Sequence, residues 1–194
     1  MDPTRIAPGL TLTEAQYAVA AEAIATHLPD LAPLTWNRFT AASGWWLVPE
    51  RDGDLAKAEL VLQEDHLERT VKINLWFLPD LRDAAPRPHS HPWDFTARIL
   101  TGGYTETRYE ARTDRIDTAE VQHLAGGANP IDRATYHEVT GLHAAPGDTM
   151  TLMVCGPGER GTWGYLDPDT GTHSRPEADP TFPERLRRLN PHRH

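Results

Sequence analysis

Two hydrophobic periodicities divide the chain. Ala15, Tyr17, Ala18, Ala21, Ile24 and Leu28 follow the spacing of one helix face. Thr13 and Gln16 precede them three residues apart, where a hydroxyl and an amide can satisfy each other's backbone donors as a capping box. Pro29 and Pro33 end the run. The expected helix, 13–28, packs against the body of the protein and carries no chemistry. From Gly44 onward the pattern becomes short β-rich runs broken by turn residues. Strands are predicted over 45–48, 58–63, 69–78, 94–101, 104–109, 119–124, 135–140, 149–155 and 161–166. Asp-Gly at 53, Gly-Gly at 102 and 126, Asn-Pro at 129 and Pro-Gly at 146 punctuate them. About nine strands at roughly ten-residue spacing argue for an antiparallel sandwich, barrel or jelly roll. The expectation is a single domain over 1–194. It comprises a helical N-terminal extension (1–43), an all-β body (44–166) and a Pro-rich tail (167–194) too poor in apolar residues for a core element, which wraps the surface or frays.

Composition narrows the partners. The 194 residues carry 28 acidic against 19 basic side chains, a formal net charge of −9. That balance repels phosphate backbones and anionic lipids. The densest basic cluster, Arg185, Arg187 and Arg188, sits in the acidic tail. Lys57 and Lys72 are the only lysines. No apolar run is long enough to span a membrane, and the N-terminus lacks the pattern of a signal peptide. A single cysteine, Cys155, excludes an internal disulfide framework and a cysteine-based zinc site. A cytoplasmic protein with a small-molecule partner is expected, with no nucleic acid and no membrane; a homodimer stays open.

The stretch 87–106, RPHSHPWDFTARILTGGYTE, carries the candidate chemistry. His89 and His91 are two apart, so on a strand both imidazoles point to one face and can reach one ion. Two histidines on a strand face can equally be plain surface polarity. A strand, Gly102-Gly103, a hairpin and then GGANPIDRATYHEV, ending near His137 on another strand, follow.

This order resembles the cupin superfamily over 70–157, about half the chain. Its first motif runs His-x-His, three or four residues, Glu, six residues, Gly. Here His89-Ser90-His91 supplies the pair, and Gly102 falls where the glycine belongs. The second motif, Gly, five residues, Pro-x-Gly, two residues, His, is represented by Pro130 and His137 at looser spacing, with Ala134 where a glycine is expected. The motif glutamate is replaced, since positions 95 and 96 are Phe95 and Thr96. The resemblance therefore implies a cupin-type antiparallel β-barrel (a jelly roll) with the helix outside. It also implies a three-histidine metal site, His89, His91 and His137, as in cupins such as the thiol dioxygenases. Asp94 is the alternative carboxylate: strict alternation turns it outward, while a bulge at Pro92 would re-aim it toward the ion or its surroundings.

A cupin barrel lines its cavity with one face of each strand. Lys72, Asn74 and Trp76 share a face and suit a polar or anionic substrate against an aromatic wall; alternatively that face is solvated and Val71, Ile73 and Leu75 are core. Arg98 could grip a substrate carboxylate or lie on the surface. Tyr104 and Glu106 are candidate acid–base groups. His143 is a candidate proton shuttle or an exposed loop residue, and His27, His66, His123, His173, His192 and His194 show no ligand spacing. Imidazoles bind Fe(II), Mn(II), Ni(II), Cu(II) and Zn(II). Three facial ligands leave positions for both a bidentate substrate and dioxygen. No arginine follows His137 before Arg160, which speaks against 2-oxoglutarate as cosubstrate. The leading expectation is a non-haem Fe(II) oxygenase of dioxygenase type acting on a small polar metabolite, with Mn, Ni or Zn as other candidate ions. The alternatives are a Lewis-acid isomerase, epimerase or dehydratase, and a non-catalytic ligand-binding cupin.

Overall fold

The computed structural model describes residues 3–50, 52–65, 67–80, 86–113, 115–159, 161–177 and 179–193. His66, Arg160 and His194 lie outside the described residues. The chain opens with a hairpin, β1 (Thr4–Ala7) and β2 (Leu10–Leu12), which the strand pattern had not predicted. Helix α1 (Glu14–His27) starts at the expected capping box: Gln16 N donates to Thr13 Oγ1 at 3.2 Å and Thr13 N to Gln16 Oε1 at 2.8 Å. A short helix, α2 (Trp36–Phe39), follows. The strands are β3 (Trp45–Pro49), β4 (Leu55–Asp65), β5 (Arg69–Trp76), β6 (Phe95–Thr101), β7 (Gly103–Ala111), β8 (Ile116–Leu124), β9 (Ala128–Ile131), β10 (Tyr136–Leu142), β11 (Thr149–Cys155), β12 (Tyr165–Leu166) and β13 (His173–Ser174). Helix α3 (Phe182–Leu189) closes the chain.

Every strand pair is antiparallel. One sheet has the order β3-β4-β5-β11-β6-β9, and a second has β10-β7-β8. Among the described residues these ladders form separate sheets rather than one continuous cylinder. Their facing sides meet where Ile99 and Trp76 pack with Tyr104 and Val139. The β6–β7 turn depends on Gly102, whose φ is +65° and whose added Cβ would lie 2.6 Å from Thr149 Oγ1. That combination of positive φ and close approach excludes other residues.

The largest apolar cluster is not between the sheets. It lies on the outer face of the six-stranded sheet, where Leu10, Leu12, Ile24 and Phe39 cover Leu47, Leu60, Val71, Ile73, Leu75 and Leu152. The N-terminal helices and hairpin thus take up the apolar side of β5, and its polar side is turned toward the second sheet. Burial of this layer is the main apolar driving force the fold has. It also frees the inner face for polar chemistry.

The tail takes the first of its two expected courses. It wraps the surface but is anchored, because Asn190 is 2% exposed and exchanges two hydrogen bonds with the backbone of Leu47, each 2.8 Å. Arg193 lies 3.9 Å above the ring of Trp46. Asn190 therefore acts as a stand-in strand partner for edge strand β3, which would otherwise offer unpaired backbone groups. The predicted strand 161–166 shortens to Tyr165–Leu166. No helix among the described residues is long and apolar enough to cross a membrane.

Candidate metal centre

His89 and His91 lie in the segment leading into β6, and His137 lies on β10. The backbone of His89 pairs with that of His137 in both directions, N–O 2.9 and 3.0 Å. The two residues are therefore direct cross-strand neighbours with side chains on one face. His89 also bridges to Tyr165, so its segment acts as a short strand between β10 and β12. The middle residue of His-Ser-His faces away: Ser90 N donates to Gly164 O at 2.9 Å and Gly164 N to Ser90 Oγ at 3.2 Å. Pinning Ser90 there turns both flanking imidazoles toward His137.

The three rings stand in a near-equilateral triangle, with centroids 5.0, 5.1 and 5.2 Å apart. One nitrogen from each falls within 4.8 Å of the others. His91 Nε2 and His137 Nε2 are 3.0 Å apart. Two ligands at right angles around an ion with bonds of about 2.1 Å would be separated by about 3.0 Å. His137 Nδ1 sits 3.1 Å from Glu106 Oε2. An ionised carboxylate can only accept, so Nδ1 carries the proton and Nε2 presents its lone pair to His91. A cation between the rings satisfies that arrangement. The residues present thus fit a metal ion that prefers nitrogen donors.

Protonation supports the same fit. Burial pushes the pKa of His89 down to about 4 against the opposing pull of Asp80, with His137, Lys57 and Arg87 adding to the fall. Burial also pushes His91 far below its ordinary value, with His89 and His137 adding repulsion. Both imidazoles are neutral at pH 7, as ligation requires. Phe95 stands edge-on to His91 at 4.8 Å, and so dries one side of the triangle.

Glu106 is fully buried, with donors around both oxygens. Oε2 accepts from His137 Nδ1 and from Asn129 Nδ2 at 2.8 Å. Oε1 accepts from Arg108 Nε and has His123 Nε2 3.2 Å away. Burial would raise its pKa, but the hydrogen bonds from His137 and Arg108 prevail and hold it at about 2. Glu106, anticipated as an acid–base group, lies against His137 Nδ1 rather than in open space beside the rings. Tyr104 is buried on the same inner surface, packed on Trp76 and accepting from Asn129 Nδ2 at 2.9 Å. Burial raises the pKa of its phenol.

Lys72, Asn74 and Trp76 do share the inner face. Trp76 meets Tyr104 across the sheets, while Val71, Ile73 and Leu75 are the outer core. Two expectations are corrected. Arg98 pairs with Leu152, whose side chain belongs to the helix-covered outer core. Alternation thus puts it beside α1, on the opposite side of the sheet from the histidines. Asp94 is exposed and accepts from Arg133 N at 2.8 Å. It lies outside the cluster of histidine nitrogens. His143 is exposed and pairs with Thr105 Oγ1 at 2.7 Å. Sequence reasoning missed Lys57, Glu59, Arg108, Asn129 and Tyr165, which the structure brings to the inner surface or beside the triad. Lys57 and Glu59 were legible, since they alternate on one strand face as Lys72 and Asn74 do.

A His-x-His pair entering one strand thus meets a third histidine facing it from another, between two antiparallel sheets. This is the arrangement that the resemblance to the cupin superfamily implies. No known family profile matches the sequence, and no curated protein matches it. Among solved structures this chain is similar to KdgF from Halomonas sp., at 15% identity and TM-score 0.38 over 54% of this chain and 82% of that one. It is also similar to Pac13, described as a nucleoside dehydratase, at 8% and 0.44 over 65% and 88%. A third is Fe(II) HppE, at 16% and 0.42 over 56% and 54%. None reaches a TM-score of 0.5, so the case for the site rests on this chain's own residues.

Proposed function

We propose that the two sheets form a cupin-type jelly roll in which His89, His91 and His137 hold one Fe(II) ion, and that the protein is a non-haem iron oxygenase acting on a small polar metabolite. The observation that carries this reading is the convergence of three imidazoles, one nitrogen from each within 4.8 Å of the others. Bound Fe(II) would supply redox chemistry toward dioxygen that side chains lack. The chain's own residues hold the ligands ready. Glu106 keeps the proton on His137 Nδ1, burial keeps His89 and His91 uncharged, and Phe95 excludes water from one side.

The Lewis-acid alternative needs a proton carrier beside the ion. The two anticipated carriers are poorly suited to it. Glu106 has donors facing both oxygens, and Tyr104 is buried with a raised pKa. This favours the oxygenase over an isomerase, epimerase or dehydratase.

Metal-free protein reconstituted with Fe(II) should consume oxygen with a member of a carboxylate, amino-acid and thiol panel, and the zinc form should be inert. Nitric oxide should bind the Fe(II) form spectroscopically. Turnover by the zinc form under nitrogen would move the assignment to Lewis-acid chemistry. Neither nitric oxide binding nor turnover would end the oxygenase reading.

A further inference from the structure

The charged residues on the inner face of the six-stranded sheet take no part in holding the histidines. Both of the chain's lysines are among them. In the β4–β5 register Lys57 lies opposite Trp76, Glu59 opposite Asn74, and Val61 opposite Lys72. Lys72 Nζ donates to Glu59 Oε1 at 2.9 Å, and Lys57 Nζ stands 3.2 Å from the same oxygen. One carboxylate serves two ammonium groups, which leaves one positive charge unmatched within the cluster. Asp80, exposed nearby, is the other acidic group whose charge acts on Lys57. The lysine side chains keep 26% and 14% of their exposure, so both remain in contact with solvent.

Asn74 stands beside them and is 1% exposed. Among the described residues its Oδ1 has no partner, and its Nδ2 reaches only the Met153 sulfur at 3.6 Å. A buried amide left this poorly satisfied calls for a partner. Trp76 completes the surface: its ring packs on Tyr104, and Lys57 Nζ lies 4.9 Å above it. The charge of both lysines is also felt at His91, which ties this surface electrostatically to the histidine triangle. A protein of net charge −9 repels anions at large, so a local cationic floor would be needed to hold one.

We propose that the Lys57–Glu59–Lys72 cluster is the recognition floor for a small organic anion, a carboxylate or phosphomonoester, whose charged oxygens sit between the two ammonium groups while Asn74 pairs with a polar group of the same molecule. Where that molecule reacts rests on the metal-centre reading; how its charge is held does not. Lysine suits this task because its three donors swing on a flexible stem and exchange one acceptor for another readily. Glu59 occupies the ammonium groups until the ligand competes for them.

Calorimetric titration of metal-free and Fe(II)-loaded protein with succinate and with glycerol 3-phosphate, against succinamide and glycerol as uncharged counterparts, tests this. At least one anion should bind both forms, at least about tenfold more tightly than its neutral counterpart. Lys57→Gln and Lys72→Gln should each weaken it by about tenfold, and Glu59→Gln, which removes the internal competitor, should tighten it by a similar factor. A misfolded variant cannot bind more tightly, so the Glu59→Gln result stands even where a lysine variant is unstable. Whether succinate or the phosphate shows the lysine dependence identifies the anion class. Equal binding of charged and neutral probes, affinities unmoved by all three substitutions, or no binding of either anion would each overturn the proposal. A His91→Ala protein that keeps both its metal and its lysine-dependent binding would count against the metal-centre reading alone.

Discussion

The most exacting test of the metal centre is Glu106→Gln. The side chains are nearly isosteric, so packing is preserved and only charge and donor–acceptor pattern change. In the native site one oxygen faces His137 and Asn129, and the other faces Arg108 and His123. A glutamine must turn its NH2 toward either the His137 and Asn129 donors or the Arg108 guanidinium. If it meets His137, Nδ1 has to accept, the proton moves to Nε2, and the ligand lone pair is lost. If it meets Arg108, two donors collide and the carboxylate charge that strengthens the His137 contact is gone. A charge-assisted hydrogen bond contributes about 1.5–3 kcal/mol, and loss of the group orienting a metal-bound histidine costs about 10- to 100-fold in affinity. These agree, since 1.4 kcal/mol is tenfold. Metal content after dialysis and competition against a chelator should show that fall, with far-ultraviolet dichroism unchanged. Metal affinity within about twofold of wild type would refute the claim that Glu106 orients His137. A loss of turnover at full metal content would return Glu106 to an acid–base role.

His91→Ala should lower bound metal by at least about tenfold while His143→Ala leaves it unchanged, measured by elemental analysis; equal losses would mean the third ligand is misassigned. Asp94→Asn should leave metal content and activity as they are, because the carboxylate pairs with Arg133 at the surface. Asn190→Ala should destabilise the fold by about 1–3 kcal/mol in urea unfolding, since it strips both backbone groups of Leu47 of their side-chain partner. Glu59 gives a pH signature. Burial opposes ionisation, but Lys57 and Lys72 outweigh it and depress its pKa from 4.5 to about 2. Its stabilisation is therefore complete above pH 4.5 and disappears as pH falls toward 2. Urea midpoints from pH 5 to 2 should lose about 2 kcal/mol more in wild type than in Glu59→Gln, allowing for partial solvent screening.

Local physics was readable from residue order. The Thr13–Gln16 cap, the helix ended by prolines, most strand positions and the shared face of His89 and His91 all depend on neighbours a few residues away. So did the two faces of β5, because alternation is a property of the strand itself. Alternation does not say what covers each face. Only the folded chain showed that α1, α2 and the β1–β2 hairpin cover Val71, Ile73 and Leu75, and that Lys72, Asn74 and Trp76 are turned toward the other sheet. The same limit explains Arg98, whose distance along the chain from the His-x-His pair suited a substrate contact while its parity sent it outward. The short strands Thr4–Ala7, Leu10–Leu12 and Ala128–Ile131 escaped notice because four residues hold too little periodicity to stand out. Glu106 carried no positional mark of its role, which exists only because β7 and β10 pair and bring its carboxylate to His137. Asn190 closes the edge of β3 from 143 residues away along the chain, a contact decided by packing and invisible to any local pattern.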